Sequence, residues 1–230
     1  TGSGEVVYTK STDGATTWTT ATTIASATTA LPNGGTHTAH SRDNSATSLA
    51  VEGDNVYIAW SDMANSDLRS YYAFSNDGGT TWSNPVEYGV DVLSADYFHV
   101  MPNLAADSGR VSISWYAVDR ATMISDFYIV ESPDAGPSLG APAIISGGST
   151  DFTGAAAGQD FYGDYNASVR KGCETWSVWA DGRSGSPMTY IAKINTCNIL
   201  ASISEVSAVN GNLNVGFVYP NPVQNNAELN

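Results

Sequence analysis

Basic residues are scarce in this 230-residue sequence: nine lysines and arginines stand against 23 acidic residues, for a net charge of −14. Nucleic acids and anionic membranes are bound by clustered Lys and Arg, so the deficit argues against both as partners. Only 14% of residues are charged and 42% are hydrophobic, which excludes a disordered acidic chain. No apolar run approaches the roughly 20 residues of a membrane helix, so we expect no membrane span.

The sequence also lacks an initial Met and a signal peptide, since it begins at Thr1. We therefore expect it to start after processing or inside a longer polypeptide. Low lysine with strong acidity favours an extracellular protein. Abundant Thr, Ser, Gly and Asn, with 10% aromatic residues, are typical of β structure rich in turns.

Only two cysteines are present, Cys173 and Cys197, and they flank a predicted hairpin. We expect its strands at 174–180 and 188–195, and the intervening residues 181–187 are turn formers. The midpoint of the two cysteines falls in that turn, so they would face each other across the base of the hairpin. We predict a disulfide and an oxidising compartment; the alternative is two buried thiols. Without a nearby histidine, the pair does not make a zinc site.

Three segments share an apolar–polar alternation with a tryptophan at an equivalent position, and each predicts a β-strand. They cover 56–62, 111–117 and 175–181, with Trp60, Trp115 and Trp179 spaced 55 and 64 residues apart. Self-similarity at such a spacing is the signature of a repeat architecture.

A second motif recurs with a similar spacing. It reads Ser-Thr-Asp-Gly-Ala-Thr-Thr-Trp at 11–18 and Ser-Asn-Asp-Gly-Gly-Thr-Thr-Trp at 75–82, and a degenerate copy covers 132–137. The carboxylate of Asp13, Asp77 or Asp134 can accept backbone N–H bonds from the residues that follow it. The glycines supply positive φ, and we expect Trp18 and Trp82 to fold back as a small core for their hairpins.

This S-x-D-x-G-x-T-W motif resembles the Asp-box of the sialidase-like (BNR-repeat) β-propellers, and the resemblance covers about residues 1–197. It implies an all-β propeller of which about three and a half blades are visible, part of a six-bladed ring. It also implies that the boxes are structural and lie away from the ligand face. Calcium binding at Asp77 is the alternative, but the run lacks the spacing of a calcium loop, so we favour the turn and expect no cofactor.

The repeats divide the sequence into predicted blades within residues 1–198. The strands are expected at 5–11 and 17–24; at 46–51, 56–60, 69–75 and 82–88; at 101–106, 111–115, 127–132 and 142–146; and at 165–170, 174–180 and 188–195.

The end of the sequence changes character after a linker and first strand at 199–213. In the segment 214–230, Tyr219-Pro220-Asn221-Pro222 resembles the opening of a type IX secretion C-terminal sorting domain, a small β-sandwich. The resemblance implies the type IX machinery as a partner and a secreted or cell-surface location in a Gram-negative bacterium. The alternative is a Pro-rich turn that opens an ordinary β-sandwich module.

Long loops between predicted blades, at 25–45, 89–100 and 147–164, contain all three histidines and many Asp and aromatic residues. Such loops are more often functional than random. The candidate ligand-binding residues are His37, His40, Asp96, His99, Asp160 and Asp164. His37 and His40 lack an identifiable third ligand, so we expect no metal there; a calcium site near Asp160 and Asp164 is an alternative.

The resemblance also implies a possible sialidase site, with three arginines, a Tyr nucleophile activated by Glu, and an Asp acid/base. Tyr165 lies in a comparable place, and Arg69 and Arg120 each precede a box. The nearest glutamate, Glu174, lies beyond the next turn. The alternative is that Tyr165 packs at the start of an inner strand, and that Arg69, Arg120 and Arg183 are solvated residues in loops between second and third strands.

Three functions follow as hypotheses. The first is a non-catalytic surface module that binds a glycan or a surface protein through its inter-blade loops. The second is an exo-sialidase or related glycoside hydrolase with Tyr165 as nucleophile. The third is a subunit of an extracellular assembly. Because a fold does not fix a function, the site must decide among them.

Overall fold

The computed structural model describes residues 5–26, 47–64, 67–89, 96–151, 165–185, 188–197 and 216–217. It confirms the all-β prediction, and no helix in these segments is long and apolar enough to cross a membrane. The strands are β1 (Glu5–Tyr8), β2 (Thr22–Ser26), β3 (Ser48–Glu52), β4 (Asn55–Ala64), β5 (Asp67–Ser75), β6 (Val86–Glu87), β7 (Tyr97–Asp107), β8 (Arg110–Asp119), β9 (Ile124–Ser132), β10 (Ala143–Ile144), β11 (Thr150–Asp151), β12 (Ala167–Lys171), β13 (Glu174–Asp181), β14 (Met188–Asn195) and β15 (Gly216–Phe217).

These strands form four antiparallel sheets in which consecutive strands are neighbours. Sheet 1 is β1–β2, sheet 2 is β3–β4–β5–β6, sheet 3 is β7–β8–β9–β10 with β11 beside β9, and sheet 4 is β12–β13–β14–β15. Four antiparallel strands in sequence order are the blade of a β-propeller. Sheets 2, 3 and 4 are therefore blades, and sheet 1 corresponds to the outer half of another because its strands also flank an Asp-box. Across the described residues the sheets do not close into a ring.

Each sheet has two ends with different loops, because its strands alternate in direction. The lower end carries the turn between the first and second strands and the box between the third and fourth. The upper end carries the turn between the second and third strands and the start of the first strand. The topology thus places the Asp-boxes and the predicted ligand loops at opposite ends.

The burial of the second strands shows how the sheets stack. All residues of 56–62 in β4 and of 111–118 in β8 are buried, whereas β13 alternates between buried and partly exposed residues. Sheets 2 and 3 are covered on both faces by neighbouring sheets, and sheet 4 is covered on one face by sheet 3. Each pair of neighbouring sheets encloses its own apolar cluster.

Hydrogen bonds at the lower end repeat from blade to blade. The Gly109 N–H donates to the Glu52 carboxylate across 2.7 Å, and the Gly172 N–H donates to the Asp107 carboxylate across 2.5 Å. In both cases the last residue of an innermost strand accepts a bond from the first turn of the next blade. The innermost strands β3, β7 and β12 also contact one another in that order.

Several strand boundaries differ from the predicted ones. Strand β7 begins at Tyr97 rather than 101, because a bulge between Val100 and Asn103 absorbs Pro102 and lets the strand continue. Strand β6 was predicted at 82–88 but covers only Val86–Glu87, because the box turn occupies the preceding residues. Residues Gly216–Phe217 pair with β14 as the fourth strand of sheet 4; the linker and sorting-domain assignment otherwise lies outside the described residues and stays a prediction.

Candidate functional site

The Asp-boxes use their carboxylates internally. Asp77 Oδ1 accepts the N–H groups of Thr80 and Thr81 at 3.0 and 2.8 Å and the Ser75 hydroxyl at 2.7 Å, and Oδ2 accepts the Thr81 hydroxyl at 2.6 Å. Asp13 makes the same set of bonds, and those from Thr17 lower its pKa to about 2. These acceptors serve the turn itself.

The degenerate third copy has the same geometry despite its divergent sequence. The Asp134 carboxylate accepts the N–H and hydroxyl of Ser138, which occupies the threonine position, at 3.1 and 2.6 Å. Leu139 stands in the tryptophan position and packs against the apolar cluster between sheets 2 and 3.

The two box tryptophans differ in their packing, and only Trp18 departs from the predicted small core. Trp82 packs against the apolar cluster that contains Ile58 and Ala73 of its own sheet. The Trp82 ring lies 5.1 Å from the Tyr8 ring of sheet 1, edge to face, so it links two sheets. The side chain of Trp18 is 60% exposed. The box is therefore an inter-blade contact as well as a turn.

Glycine in the third box is required for the contact with sheet 2. A Cβ on Gly136 would lie 2.5 Å from Phe74 Cγ and 2.7 Å from the Tyr72 hydroxyl, at a φ of +119°. We expect Gly136→Ala to lower the free energy of unfolding by about 3 kcal/mol in urea melts. The control is Gly14→Ala in the first box, because a Cβ at Gly14 would have no atom within 4 Å. An alanine is accepted at this position of the motif, since Ala135 occupies it in the third box at a φ of 58°. Equal effects for the two variants would refute the packing argument.

The upper end brings together some of the predicted site residues. Asp96 precedes β7, Arg120 lies in the turn after β8, and Tyr165 lies two residues before β12. His37, His40, Asp160 and Asp164 lie outside the described residues. Arg69 was predicted to lie in a loop. It lies within β5, because that strand begins at Asp67.

Two of the upper-end arginines are held by carboxylates. Arg69 Nε lies 3.5 Å from Glu87 Oε1, and Arg69 is directly opposite Asp62 in the strand pairing. The backbone and side chain of Arg183 donate to Asp181, with Nε–Oδ1 at 3.0 Å. Burial raises the pKa of Asp181, but hydrogen bonds from Arg183 and Thr150 outweigh it and hold the pKa below its ordinary value.

Sequence reasoning missed Asp62 and Asp181 as members of the upper end. Both follow a strand tryptophan by two residues, as Trp60-Ser61-Asp62 and Trp179-Ala180-Asp181. The Trp179 indole donates to Asp181 across 3.0 Å. The shared Trp-x-Asp spacing was the available signal.

Arg120 is positioned by the beginning of β7. Its guanidinium carbon lies 4.6 Å from the centre of the Phe98 ring, and its backbone N–H donates to the Asp96 carbonyl across 2.8 Å. The turn itself is fixed by Asp119, whose carboxylate accepts the N–H groups of Ala121 and Thr122. This guanidinium therefore covers an aromatic ring.

Tyr165 and Glu174 lie at opposite ends of sheet 4. Tyr165 is 86% exposed before β12 at the upper end, whereas Glu174 begins β13 at the lower end and pairs with Lys193 at 2.6 Å. The five residues of β12 separate them, about 16 Å at the rise of a strand. Glu174 is therefore too far away to activate Tyr165.

His99 does not lie in an inter-blade loop, contrary to prediction. It lies in β7, fully buried, and its carbonyl accepts the hydroxyls of Ser61 and Ser70 at 3.2 and 3.1 Å. Neither ring nitrogen has a hydrogen-bond partner. Burial and the nearby charge of Arg69 lower the pKa of His99 to about 4. The Tyr88 backbone raises this pKa slightly, but it does not form a hydrogen bond of normal geometry with either ring nitrogen.

No group of three or more His, Cys, Asp or Glu side chains in the described segments is arranged to hold a metal ion. The predicted histidine pair and the Asp160–Asp164 calcium alternative lie outside these segments.

The predicted disulfide between Cys173 and Cys197 is present at the lower end of sheet 4, with the two Cα atoms 5.1 Å apart. It closes the β13–β14 hairpin at its base. Thr196 beside it donates its N–H to the Cys173 carbonyl across 2.9 Å.

Loss of the disulfide should weaken sheet 4. We expect the double variant Cys173→Ser, Cys197→Ser to have a free energy of unfolding about 3 kcal/mol below that of the wild type, the usual contribution of a disulfide that closes a loop of this length. Urea melts of the oxidised wild type and the variant measure the difference. Adding a reductant should lower the free energy of unfolding of the wild type to that of the variant, and it should not change that of the variant. A wild type whose free energy of unfolding does not respond to the reductant would contradict the disulfide.

A buried ion cluster between sheets 3 and 4 was also missed. Arg170 donates to both carboxylate oxygens of Glu131, at 3.1 and 3.2 Å, and to the hydroxyls of Ser112 and Thr196, at 2.6 and 2.9 Å. Arg110 binds the same carboxylate. Both members of the Arg170–Glu131 pair are fully buried, so the cluster is a structural element of the lower end.

The topology defines the class of protein as one built from β-propeller blades, and comparison with known proteins adds fold likeness only. No protein family and no curated protein matches the sequence. A mutant of Trypanosoma rangeli sialidase displaying trans-sialidase activity matches at 14% identity over 64% of this chain and 28% of its own, with a TM-score of 0.37. Bacteroides ovatus xyloglucan PUL GH43B matches at 15% over 75% and 31%, with a TM-score of 0.38. Bombyx mori GH32 β-fructofuranosidase BmSUC1 matches at 15% over 67% and 35%, with a TM-score of 0.31.

The chain spans about a third of the length of these structures. Their TM-scores are low, so the blade assignment rests on the strand order and pairing described above. What these proteins act on does not transfer to this chain.

Proposed function

We propose that the chain is a non-catalytic module of a secreted or cell-surface protein and binds a glycan or a partner protein at the upper end of its blades. One observation carries the proposal: Glu174, the glutamate nearest to Tyr165 in the sequence, lies at the opposite end of sheet 4 from it. Tyr165 is exposed and far from Glu174, and Arg69 is buried beside Glu87.

Binding of a glycan is supported by the aromatic groups at the upper end. The Tyr165 ring is open to solvent, and an exposed aromatic face can stack on the apolar face of a sugar ring. The Asp-box carboxylates, by contrast, are saturated and lie at the other end.

Hydrolysis and binding assays test this function together. We expect no turnover of a fluorogenic sialoside by the wild type, and binding to members of a glycan array. Tyr165→Ala should weaken that binding about tenfold, the equivalent of losing one aromatic contact, while Tyr165→Phe keeps it. Turnover by the wild type that disappears in Tyr165→Phe would instead support the exo-sialidase hypothesis.

A subunit of an extracellular assembly is the second candidate, favoured by the outer face of sheet 4. Val169 lies opposite Trp176, and Val178 lies opposite Ile191; the side chain of Val169 is 63% exposed. A second copy of the chain could cover this apolar face. Light scattering at rising concentration should then show a particle larger than the monomer that Val169→Lys dissociates. A monomer at all concentrations would contradict this candidate.

Export by the type IX machinery is supported by Tyr219-Pro220-Asn221-Pro222 in the segment 214–230. In a host with that machinery, deletion of 218–230, which keeps β15 of sheet 4, should retain the protein inside the outer membrane. Unchanged secretion of the deletion variant would contradict the proposal.

A further inference from the structure

The upper end of the blades is negatively charged. Eight acidic residues with described side chains lie there, against three arginines. The acids are Glu5, Asp62, Glu87, Asp96, Asp119, Asp126, Asp151 and Asp181, and the arginines are Arg69, Arg120 and Arg183. Hydrogen bonds from the Thr122 backbone lower the pKa of Asp119, and Asp181 also remains ionised. The summed field therefore repels an anionic ligand.

Each of these arginines already has a partner within the protein. Arg183 is bound by the Asp181 carboxylate through its backbone and side chain, and its guanidinium lies 4.4 Å from the centre of the Tyr190 ring. Arg69 faces Glu87, and Arg120 lies over Phe98. A sugar carboxylate would have to displace Glu87 or Asp181 to obtain the paired N–H donors of Arg69 or Arg183 that bind it best.

The exposed aromatic group at this end favours a different ligand. Tyr165 offers a ring face for stacking and a hydroxyl for hydrogen bonds to a sugar. Stacking and hydroxyl recognition require no charge on the ligand.

We propose that the upper end selects uncharged oligosaccharides and rejects glycans that carry a carboxylate, such as sialylated ones; this inference rests on the proposed glycan-binding function. The selectivity arises from an acidic surround in which Arg69 and Arg183 are held by carboxylates and Arg120 lies over Phe98. It departs from what the sialidase resemblance implies.

The test uses the full chain and a panel in which each neutral oligosaccharide is paired with the same oligosaccharide capped by sialic acid. We expect the neutral member to bind at least about tenfold more tightly in low salt, with a smaller ratio in 0.5 M salt (about a 4 Å screening length). Asp96→Asn combined with Asp151→Asn should reduce the ratio. Asp54→Asn with Glu174→Gln, the same charge change at the lower end, should leave it unchanged.

The failures are distinguishable. Tighter binding of the sialylated members would overturn the selectivity while leaving the glycan-binding function intact. Binding of no member, by a chain that circular dichroism shows to be folded, would overturn the glycan-binding function and the selectivity with it.

Discussion

Replacing Glu131 with glutamine should lower the free energy of unfolding by about 3–5 kcal/mol, one of the largest effects of any single substitution in the chain. Glu131 is fully buried and binds Arg170 with both oxygens. The neutral amide has the same shape but leaves the Arg170 charge buried without a counter-charge. The melting temperature should fall by roughly 10 °C.

An exposed ion pair in sheet 4 provides the control. Glu174 and Lys193 form a pair with side chains about half exposed, so Glu174→Gln should cost no more than about 1 kcal/mol. Adding Arg170→Gln to Glu131→Gln should cost less than the sum of the single changes, because the two residues interact directly. Equal urea midpoints for Glu131→Gln and Glu174→Gln would show that the buried cluster does not hold the blades together.

Replacing His99 with leucine should remove much of the acid sensitivity of the fold. The pKa of His99 is about 4 in the folded protein, below its ordinary 6.5, so the unfolded chain binds a proton first as the pH falls. Stability from this residue is complete above pH 6.5 and decreases by about 3 kcal/mol as the pH falls to 4. At pH 7 the variant should be as stable as the wild type or more so, since no hydrogen bond is lost.

Urea melts at pH 4.5, 5.5 and 7 measure this effect. The control Ser61→Ala removes a hydroxyl bonded to the His99 carbonyl and introduces no change in titration. Its stability profile should therefore run parallel to that of the wild type, while the His99→Leu profile becomes flatter. Parallel profiles for all three proteins would show that His99 titrates normally.

Local patterns were sufficient to predict the disulfide and the blade repeat. The hairpin between Cys173 and Cys197 has a turn centred between them, so strand pairing alone brings them together. The Asp-boxes are similarly local, since each carboxylate bonds residues within four positions of it.

Non-local contacts and one irregular strand escaped prediction. Glu131 and Arg170 are 39 positions apart in different blades, and no spacing rule relates them. At His99, the strand was predicted to start only at 101, but Met101 takes a positive φ in a bulge and the strand extends back to Tyr97. The burial of His99 follows from that bulge.

The sequence predicts at which end of the blades the candidate residues lie better than it predicts which side chains they contact. Alternating strand directions place Tyr165, Arg120 and Asp96 at one end of the blades once the repeats are recognised. The partners of the arginines depend on side-chain packing: Asp181 holds Arg183, and Phe98 lies under Arg120. Such contacts are not visible in residue spacing.

Hydrogen exchange with and without a bound neutral oligosaccharide tests the central claim most directly. The account predicts slower exchange at the upper end, in 96–100, 117–126, 165–169 and 181–185, and unchanged exchange in the Asp-box turns at 11–18, 75–82 and 132–139. Protection confined to the Asp-box turns would contradict the claim that the upper end is the binding face.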